Sequence, residues 1–481
     1  MDNAIPLEWG TSENLSPLET LMWRADSDRA MRSAMMAVEI LDTEPDWNRL
    51  TDAHEWASRM VPRLCDRVAE PLGFMGTPIW VRDQEFDLRY HLRRCRLGGD
   101  NGWQDLLTTA AQLTMTPFDR TRPLWEAMLV EGLPDGKAAY LLKLHHALTD
   151  GLGLRQLLSQ LHSRQRAHQA NKPQPAVAVA SGAGLADFAV GQLEHDLGAV
   201  PAVISAVAAL ASKGFRDPLR SAYGLIQYVK SARRVLSPPA VPGLPLLSAR
   251  GGSWQFVALD LDLADLRSAG KRVGGSVNDA FLAALLAGFR LYHDELDVPL
   301  DGAATMPVSV PVSIRRDDDS AGGNRFAPAR LVAPVGIVDP AARIEVIKQL
   351  VGKARHEPAL ESAGLVAPLM ARLPGSALVR VAGAATAGND LQASNVPGLD
   401  GDLYLAGAQI ERIYPFAPLP GCAAMITLHT YRGLCSVGAN LDTAAVSEPG
   451  IFAKCLCAGF AEVLTLASSP KKPGLLAVTA T

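Results

Sequence analysis

His145 and His146 stand side by side after an apolar run, and Asp150-Gly151 follows shortly after. Histidine changes charge near neutral pH without help, so one held at a strand end can serve as a general base. Adjacent side chains on a strand point to opposite faces. At most one of the pair therefore faces a cleft, and the other faces packing. Asp150 can orient the loop by a salt bridge or accept backbone N–H groups at the start of the next helix, which either Thr149 or Asp150 can cap, and Gly151 permits a tight backbone there. Other chemistries lack their parts. No HExxH or cysteine partners accompany the histidines, so no metal site is expected. No GxSxG elbow, GxGxxG turn or P-loop occurs. Cys455 and Cys457 fall in a helix, at a spacing that separates their side chains.

Further candidates lie elsewhere in the chain. Ser276-Val277-Asn278-Asp279 reads as a capping box with Asp279 reaching back, while Asn278 can offer an N–H to a developing oxyanion. Ser394 and Asn395 precede a Pro-Gly turn and can line a channel. Arg315, near a strand end, can pair with Asp150 or with a phosphate. Trp125 reads as a strand-entry core residue that can also touch substrate.

The elements that must hold these residues are legible in outline. A strand at 137–144 ends at the histidines, and Leu154, Leu157, Leu158 and Leu161 mark an amphipathic helix after them. Strands are expected at 31–41, 78–81, 123–131, 254–261, 326–334, 392–396, 403–410, 423–431 and 434–441, with 86–92 extended. The strand at 306–314 contains two prolines and is expected at an edge or a bulge. Helices are expected from Trp47, with a kink at Pro62, and at 103–113, 263–272, 276–292, 341–355, 365–385 and 448–466. This pattern implies two α/β lobes. The N-terminal lobe spans 1–162 and the C-terminal lobe 251–468. Residues 163–250 form a linker and apolar helical crossover, and 469–481 a loose tail.

Bulk composition agrees with a globular chain. Its 481 residues are 48% hydrophobic and 20% charged, with a net charge of −4 that offers no footprint for nucleic acid. Six scattered cysteines suggest a reduced, cytoplasmic setting rather than a disulfide framework. No signal pattern opens the chain, and its apolar windows are too short to span a membrane. The apolar stretch 185–236 has two readings: it rests on a membrane or lipid-droplet surface, or it covers the back of a lobe.

The run His145-His146-Ala147-Leu148-Thr149-Asp150-Gly151 resembles the HHxxxDG motif of the coenzyme-A-dependent acyltransferase superfamily. Pro123-Leu124-Trp125-Glu126, Asn278-Asp279-Ala280-Phe281-Leu282-Ala283, Pro311-Val312-Ser313-Ile314-Arg315 with Gly323-Asn324, Ser394-Asn395-Val396-Pro397-Gly398, and Tyr414-Pro415 through Pro418-Leu419 are similar to elements of the bacterial wax ester synthase/diacylglycerol acyltransferases, in the expected order. One departure is Glu19, where that family usually has Asp in its opening Leu-Ser-x-x-Asp element. The resemblance implies two chloramphenicol-acetyltransferase-like lobes, each a mixed sheet with flanking helices, and an active-site channel between them. It also implies direct transfer from a fatty acyl-CoA co-substrate, with no other cofactor, to diacylglycerol or a long-chain alcohol. His146 would be the base, His145 and Asp150 would hold the loop and the tautomer, and Arg315 and Trp125 would be substrate or coenzyme A candidates. Two alternatives stand beside this one: a condensation-type acyltransferase using a carrier-bound donor, and a non-catalytic lipid-binding protein on the same fold.

Overall fold

The computed structural model describes residues 7–71, 76–98, 102–169, 172, 240–313, 322–324, 326–355, 383, 388–468 and 470–476. Arg315, the stretch 185–236 and nearly all of the 365–385 helix lie outside them.

The chain begins with α1 (Pro17–Ala25), capped by Ser16, then β1 (Ala34–Leu41) and α2 (Trp47–Met60). Pro62 ends α2 and starts a 3-10 turn rather than kinking the helix, because the ring would displace the carbonyl of the preceding turn. A hairpin of β2 (Asp66–Ala69) and β3 (Ile79–Arg82) follows. The segment expected to be extended at 86–92 instead makes one helical turn, α3 (Leu88–His91), before β4 (Leu92–Arg96). Asp87 causes this, since its carboxylate accepts the Arg89 N–H at 2.9 Å and caps the turn. Then come α4 (Gly102–Met115), β5 (Trp125–Glu131), β6 (Ala138–His145) and α5 (Gly151–Leu161).

The second half runs β7 (Trp254–Asp262), α6 (Leu263–Arg272), α7 (Val277–Glu295), β8 (Met306–Ser313), β9 (Phe326–Ala333) and α8 (Pro340–Arg355). It continues with β10 (Leu391–Leu399), β11 (Tyr404–Leu405), β12 (Ala408–Phe416), β13 (Ala424–Tyr431), β14 (Leu434–Asp442), α9 (Pro449–Leu464) and β15 (Gly474–Leu475). The expected strand at 403–410 is a hairpin. Ala406 and Gly407 take positive φ (48° and 93°) and turn the chain between β11 and β12.

Two mixed sheets result. One has the order β11-β12-β1-β6-β5-β4, the other β15-β7-β14-β13-β10-β8-β9. The first draws β11 and β12 from the second half, so the N-terminal lobe is completed by residues 404–416, and the sequential boundary between lobes is crossed there. Met36 through Leu41 pair with β12, and Ala34 through Leu41 with β6, which leaves β1 and β6 buried inside the sheet. The prolines of β8 do not put it at an edge, since β9 lies outside it. They are accommodated because β8 pairs with β10 only at Val308 and Ser309, where the ladder needs no proline N–H.

The C-terminal sheet packs α7, α8 and α9 on one face in the largest core, around Phe281, Phe289, Phe452 and Phe460. The N-terminal sheet packs α2 and α5 on one face and α4 on the other. All six cysteines are free thiols. Among the described residues no helix is long and apolar enough to cross a membrane.

Candidate active site

β6 ends at His145, and His146 opens the turn that follows it. His145 is 1% exposed and lies edge-on to Trp23 and Phe118. Its Nδ1 accepts the Ala147 N–H at 3.0 Å, and its Nε2 stands 3.3 Å from Asp26 Oδ1. Burial pushes the Asp26 carboxyl up, but His145 and the Ser33 N–H outweigh it and hold Asp26 below its ordinary range. Both nitrogens of His145 are thus directed at protein groups, and its place is in the scaffold of the loop. His146 turns the other way, into a cavity of about 900 Å³ between the two sheets.

The His146 ring is held from the other lobe. Its Nδ1 lies 2.9 Å from Asn324 Oδ1, while Asn324 Nδ2 donates to the His146 carbonyl at 2.7 Å. The second bond orients the amide, so Oδ1 is the acceptor and Nδ1 carries the proton. Nε2 is then the basic nitrogen, and among the described residues it takes no hydrogen bond. Burial lowers the His146 pKa, opposed by the charge of Asp150 and the bond to Asn324. The ring is therefore neutral at physiological pH, the state a general base requires.

Asn324 sits just before β9 and is itself fastened to the N-terminal lobe. Its N–H donates to Glu19 Oε1 at 3.1 Å, while Glu19 Oε2 accepts the Ser16 N–H at 2.8 Å in the capping box of α1. The unusual Glu19 thus closes the α1 cap and reaches Asn324 with its second oxygen. Beside it Gly323 forms a parallel bridge with Thr149 and accepts the Asp150 N–H at 3.3 Å. Gly323 has φ +66°, a conformation glycine adopts without steric cost.

Asp150 is the N-cap of α5, its Oδ1 accepting the Gly153 N–H at 2.8 Å. Gly151 is required by close approach rather than by its dihedral angles. A Cβ there would lie 2.9 Å from Val396 of β10, where the two lobes meet. Asp150 and His145 each accept a backbone N–H of the loop, and Asn324 bonds the ring of His146. Sequence reasoning quoted the Gly323-Asn324 pair without giving it a role. The signal was a polar residue behind a glycine in a hairpin loop.

The remaining candidates separate. Asn278, Ser394 and Asn395 line the same cavity as His146. Asp279 does not, being consumed by the α7 cap, where its Oδ2 accepts from Ser276 N at 2.8 Å and from Ser276 Oγ at 2.7 Å. Trp125 is 3% exposed in the core. Its indole N–H donates to the Leu64 carbonyl at 2.7 Å and its ring stacks on His91, so it does not reach the cavity. Apolar side chains make up most of the cavity wall, among them Leu142, Leu144, Leu154, Val310, Phe326 and Met425. Such a wall suits apolar groups, each buried CH₂ contributing roughly 0.8 kcal/mol.

Comparison with known proteins places this geometry. The model of the wax ester synthase/diacylglycerol acyltransferase catalytic domain matches residues 15–281, and that of the family's C-terminal domain matches residues 322–463. A Mycobacterium tuberculosis (strain H37Rv) protein named as a diacylglycerol O-acyltransferase is 40% identical over 462 residues, covering 95% of this chain and 93% of its own. A second from the same strain is 28% identical over 452 residues, 89% of this chain and 86% of its own. Among solved structures, the wax ester synthase/diacylglycerol acyltransferase from Marinobacter aquaeolei VT8 superposes with a TM-score of 0.63 at 20% identity, covering 94% of this chain and 98% of that one. A first condensation domain of the calcium-dependent antibiotic synthetase superposes at 0.56 with 18% identity, covering 95% and 97%. The two structural likenesses establish the two-lobed fold.

Proposed function

This chain belongs to the wax ester synthase/diacylglycerol acyltransferase family, and we propose that it esterifies diacylglycerol, or a long-chain alcohol, directly from fatty acyl-CoA with His146 as the general base. The observation that carries the reading is the Asn324–His146 pair, which leaves an unprotonated Nε2 on a residue lining a largely apolar cavity.

In this reading Nε2 takes the hydroxyl proton as the alcohol oxygen attacks the thioester carbonyl carbon. The carbonyl electron pair moves onto oxygen, where Asn278 is the side-chain donor we assign to the tetrahedral oxyanion. Collapse restores the carbonyl and breaks the C–S bond. The departing thiolate takes the proton from Nε2, which regenerates neutral His146 and releases coenzyme A. Acyl-CoA and the alcohol suffice, and no acyl-enzyme forms. The apolar walls keep water, the competing acceptor, away from the base. Because both substrates are lipids, we place the working protein at the periphery of a membrane or lipid droplet. A flotation assay with and without residues 185–236 tests that placement.

The deciding experiment incubates the purified chain with labelled palmitoyl-CoA and either dioleoylglycerol or hexadecanol and resolves the products. Ester is expected with the wild type, and His146→Ala is expected to lower the rate by about 10²–10⁴-fold while remaining folded. No ester with either acceptor would defeat the assigned activity, and a wild-type rate in His146→Ala would defeat the assigned base.

A further inference from the structure

Residues 7–14 run ahead of the stretch 15–281 that the family's catalytic-domain model matches, and the chemistry derived above makes no use of them. They are nonetheless built into the fold. The Leu7 N–H donates to the Met60 carbonyl at 2.7 Å, the Trp80 N–H donates to the Glu13 carbonyl at 2.8 Å, and Asn14 bridges Ile79 of β3. Arg63 is buried with its guanidinium 4.4 Å over the Trp80 ring, and it donates to the carbonyls of Gly10 and Ser12. The segment is thus a strap, tied to the N-terminal lobe on either side of Trp9.

Trp9 is where this strap meets the joint around His146. It is 2% exposed, and its indole N–H donates to the Gly153 carbonyl at 3.1 Å. Gly153 lies in the first turn of α5, and its own N–H is the one that Asp150 caps. The indole also backs the segment that carries Asn324. A Cβ on Gly322 would stand 3.0 Å from the Gly10 nitrogen and 3.1 Å from the Trp9 ring, and a Cβ on Gly153 would stand 3.2 Å from the Gly322 Cα. Strap, helix and the 322–324 segment therefore meet almost backbone to backbone, with the indole against two of them. Those two are the elements that hold His146. One carries Asp150. The other carries Gly323, which accepts the Asp150 N–H, and Asn324, which bonds the imidazole. They come from opposite lobes, so the Asn324–His146 bond depends on their spacing, and a hydrogen bond weakens steeply as it bends or lengthens. A slight misplacement of a base, made away from the chemistry, lowers the rate rather than the binding of substrate.

We propose that Trp9 is a positioning residue for acyl transfer: it clamps the first turn of α5 to the 322–324 segment and so preserves the Asn324–His146 bond that leaves Nε2 bare. This inference rests on the reading of His146 as the general base.

The test is a double-mutant cycle with a separate view of the imidazole. Trp9→Phe keeps an aromatic ring and removes the indole N–H, and Trp9→Leu removes the ring as well. With palmitoyl-CoA and the acceptor that yields ester, Trp9→Phe is expected to lower kcat by about 2- to 10-fold, the size of one lost hydrogen bond. Trp9→Leu should lower it further, and KM for both substrates should be unchanged. In an Asn324→Ala background the bond that Trp9 protects is gone, so Trp9→Phe should cost no further kcat and the two losses should not add. Nitrogen NMR of isotope-labelled histidine should show His146 as a single neutral tautomer in the wild type and as a mixture of two in both Trp9 variants. Thermal unfolding midpoints certify folding, and if Trp9→Leu does not fold, the Trp9→Phe spectrum decides by the same criterion. Additive losses in the cycle, a rise in KM in place of the fall in kcat, or an unchanged single tautomer would overturn the proposal. Failure of the wild type to make ester would refute the underlying activity instead, and the tautomer spectra would still decide whether Trp9 holds the ring.

Discussion

Replacing Asn324 should damage catalysis without touching substrate. Its side chain makes two bonds to His146, at 2.9 Å and 2.7 Å, and is 6% exposed. A buried hydrogen bond contributes a net of about 0.5–1.5 kcal/mol, so the pair is worth roughly 1–3 kcal/mol. If that stabilisation is what fixes the tautomer with its bare Nε2 pointed into the cavity, Asn324→Ala should lower kcat by about 5- to 150-fold, at about 1.4 kcal/mol per tenfold. KM for acyl-CoA should move much less, because Asn324 holds the base and not the donor. Asn324→Asp separates positioning from simple loss of packing. The carboxylate still accepts from Nδ1, but it favours the imidazolium, so the acid limb of the rate profile should move up by roughly one to two pH units. The assay is thiol release from palmitoyl-CoA at saturating alcohol, from pH 5 to 9, beside thermal unfolding of each variant. A wild-type kcat in Asn324→Ala, together with an unmoved acid limb in Asn324→Asp, would refute the claim that the C-terminal lobe sets the state of His146.

Four other outcomes follow from the same geometry. In the wild type the acid limb should lie below the ordinary histidine value of about 6.5, because burial outweighs Asp150 at His146. Activity is present above that pKa and lost as pH falls through it, and Asp150→Asn, which keeps the cap but removes the charge, should shift the limb further toward acid in a kcat/KM profile. His145→Leu should cost about 1–3 kcal/mol of stability in denaturant titration, by removing the imidazole from beside Asp26 and leaving the Ala147 N–H without its acceptor. Asn278→Ala should lower kcat by about 10²–10³-fold if it serves the oxyanion, and an unchanged kcat would remove it from that role. His162, whose Nε2 lies 3.1 Å from the buried Glu39 carboxylate, has its pKa raised, since that pairing overcomes the burial that would lower it. The pair's stability is therefore complete below the unfolded histidine value and lost as pH rises through the raised one. The alkaline drop in melting temperature should be smaller in Glu39→Gln.

Much of this protein was legible in local pattern. Period-two and period-3.6 spacing located most strands and helices, because a half-buried strand or helix must repeat its apolar face in the sequence. Alternation along a strand predicted that the two histidines face opposite ways; His145 ends β6 in packing, while His146, in the turn after it, lines the cavity. The helix caps of Asp150 and Ser276 were readable because a cap acts within three residues of itself. The turn at Leu88–His91 and the hairpin at 406–407 were missed, since one capping aspartate and one positive-φ alanine leave little trace in hydrophobic spacing.

What only the tertiary structure decided is long-range. Strands β11 and β12 leave their own half of the chain to complete the other sheet, a pairing that no local period encodes. Trp125, plausible in sequence as a substrate contact, faces Leu64 and His91 because its strand presents that side to the core. Asn324 stands 178 residues from His146 in the chain. HHxxxDG by itself offers a histidine pair and a capped loop. Which ring nitrogen is free to take a proton depends on a hydrogen bond from the opposite lobe, and a bond between distant residues exists only once both lobes have folded against each other.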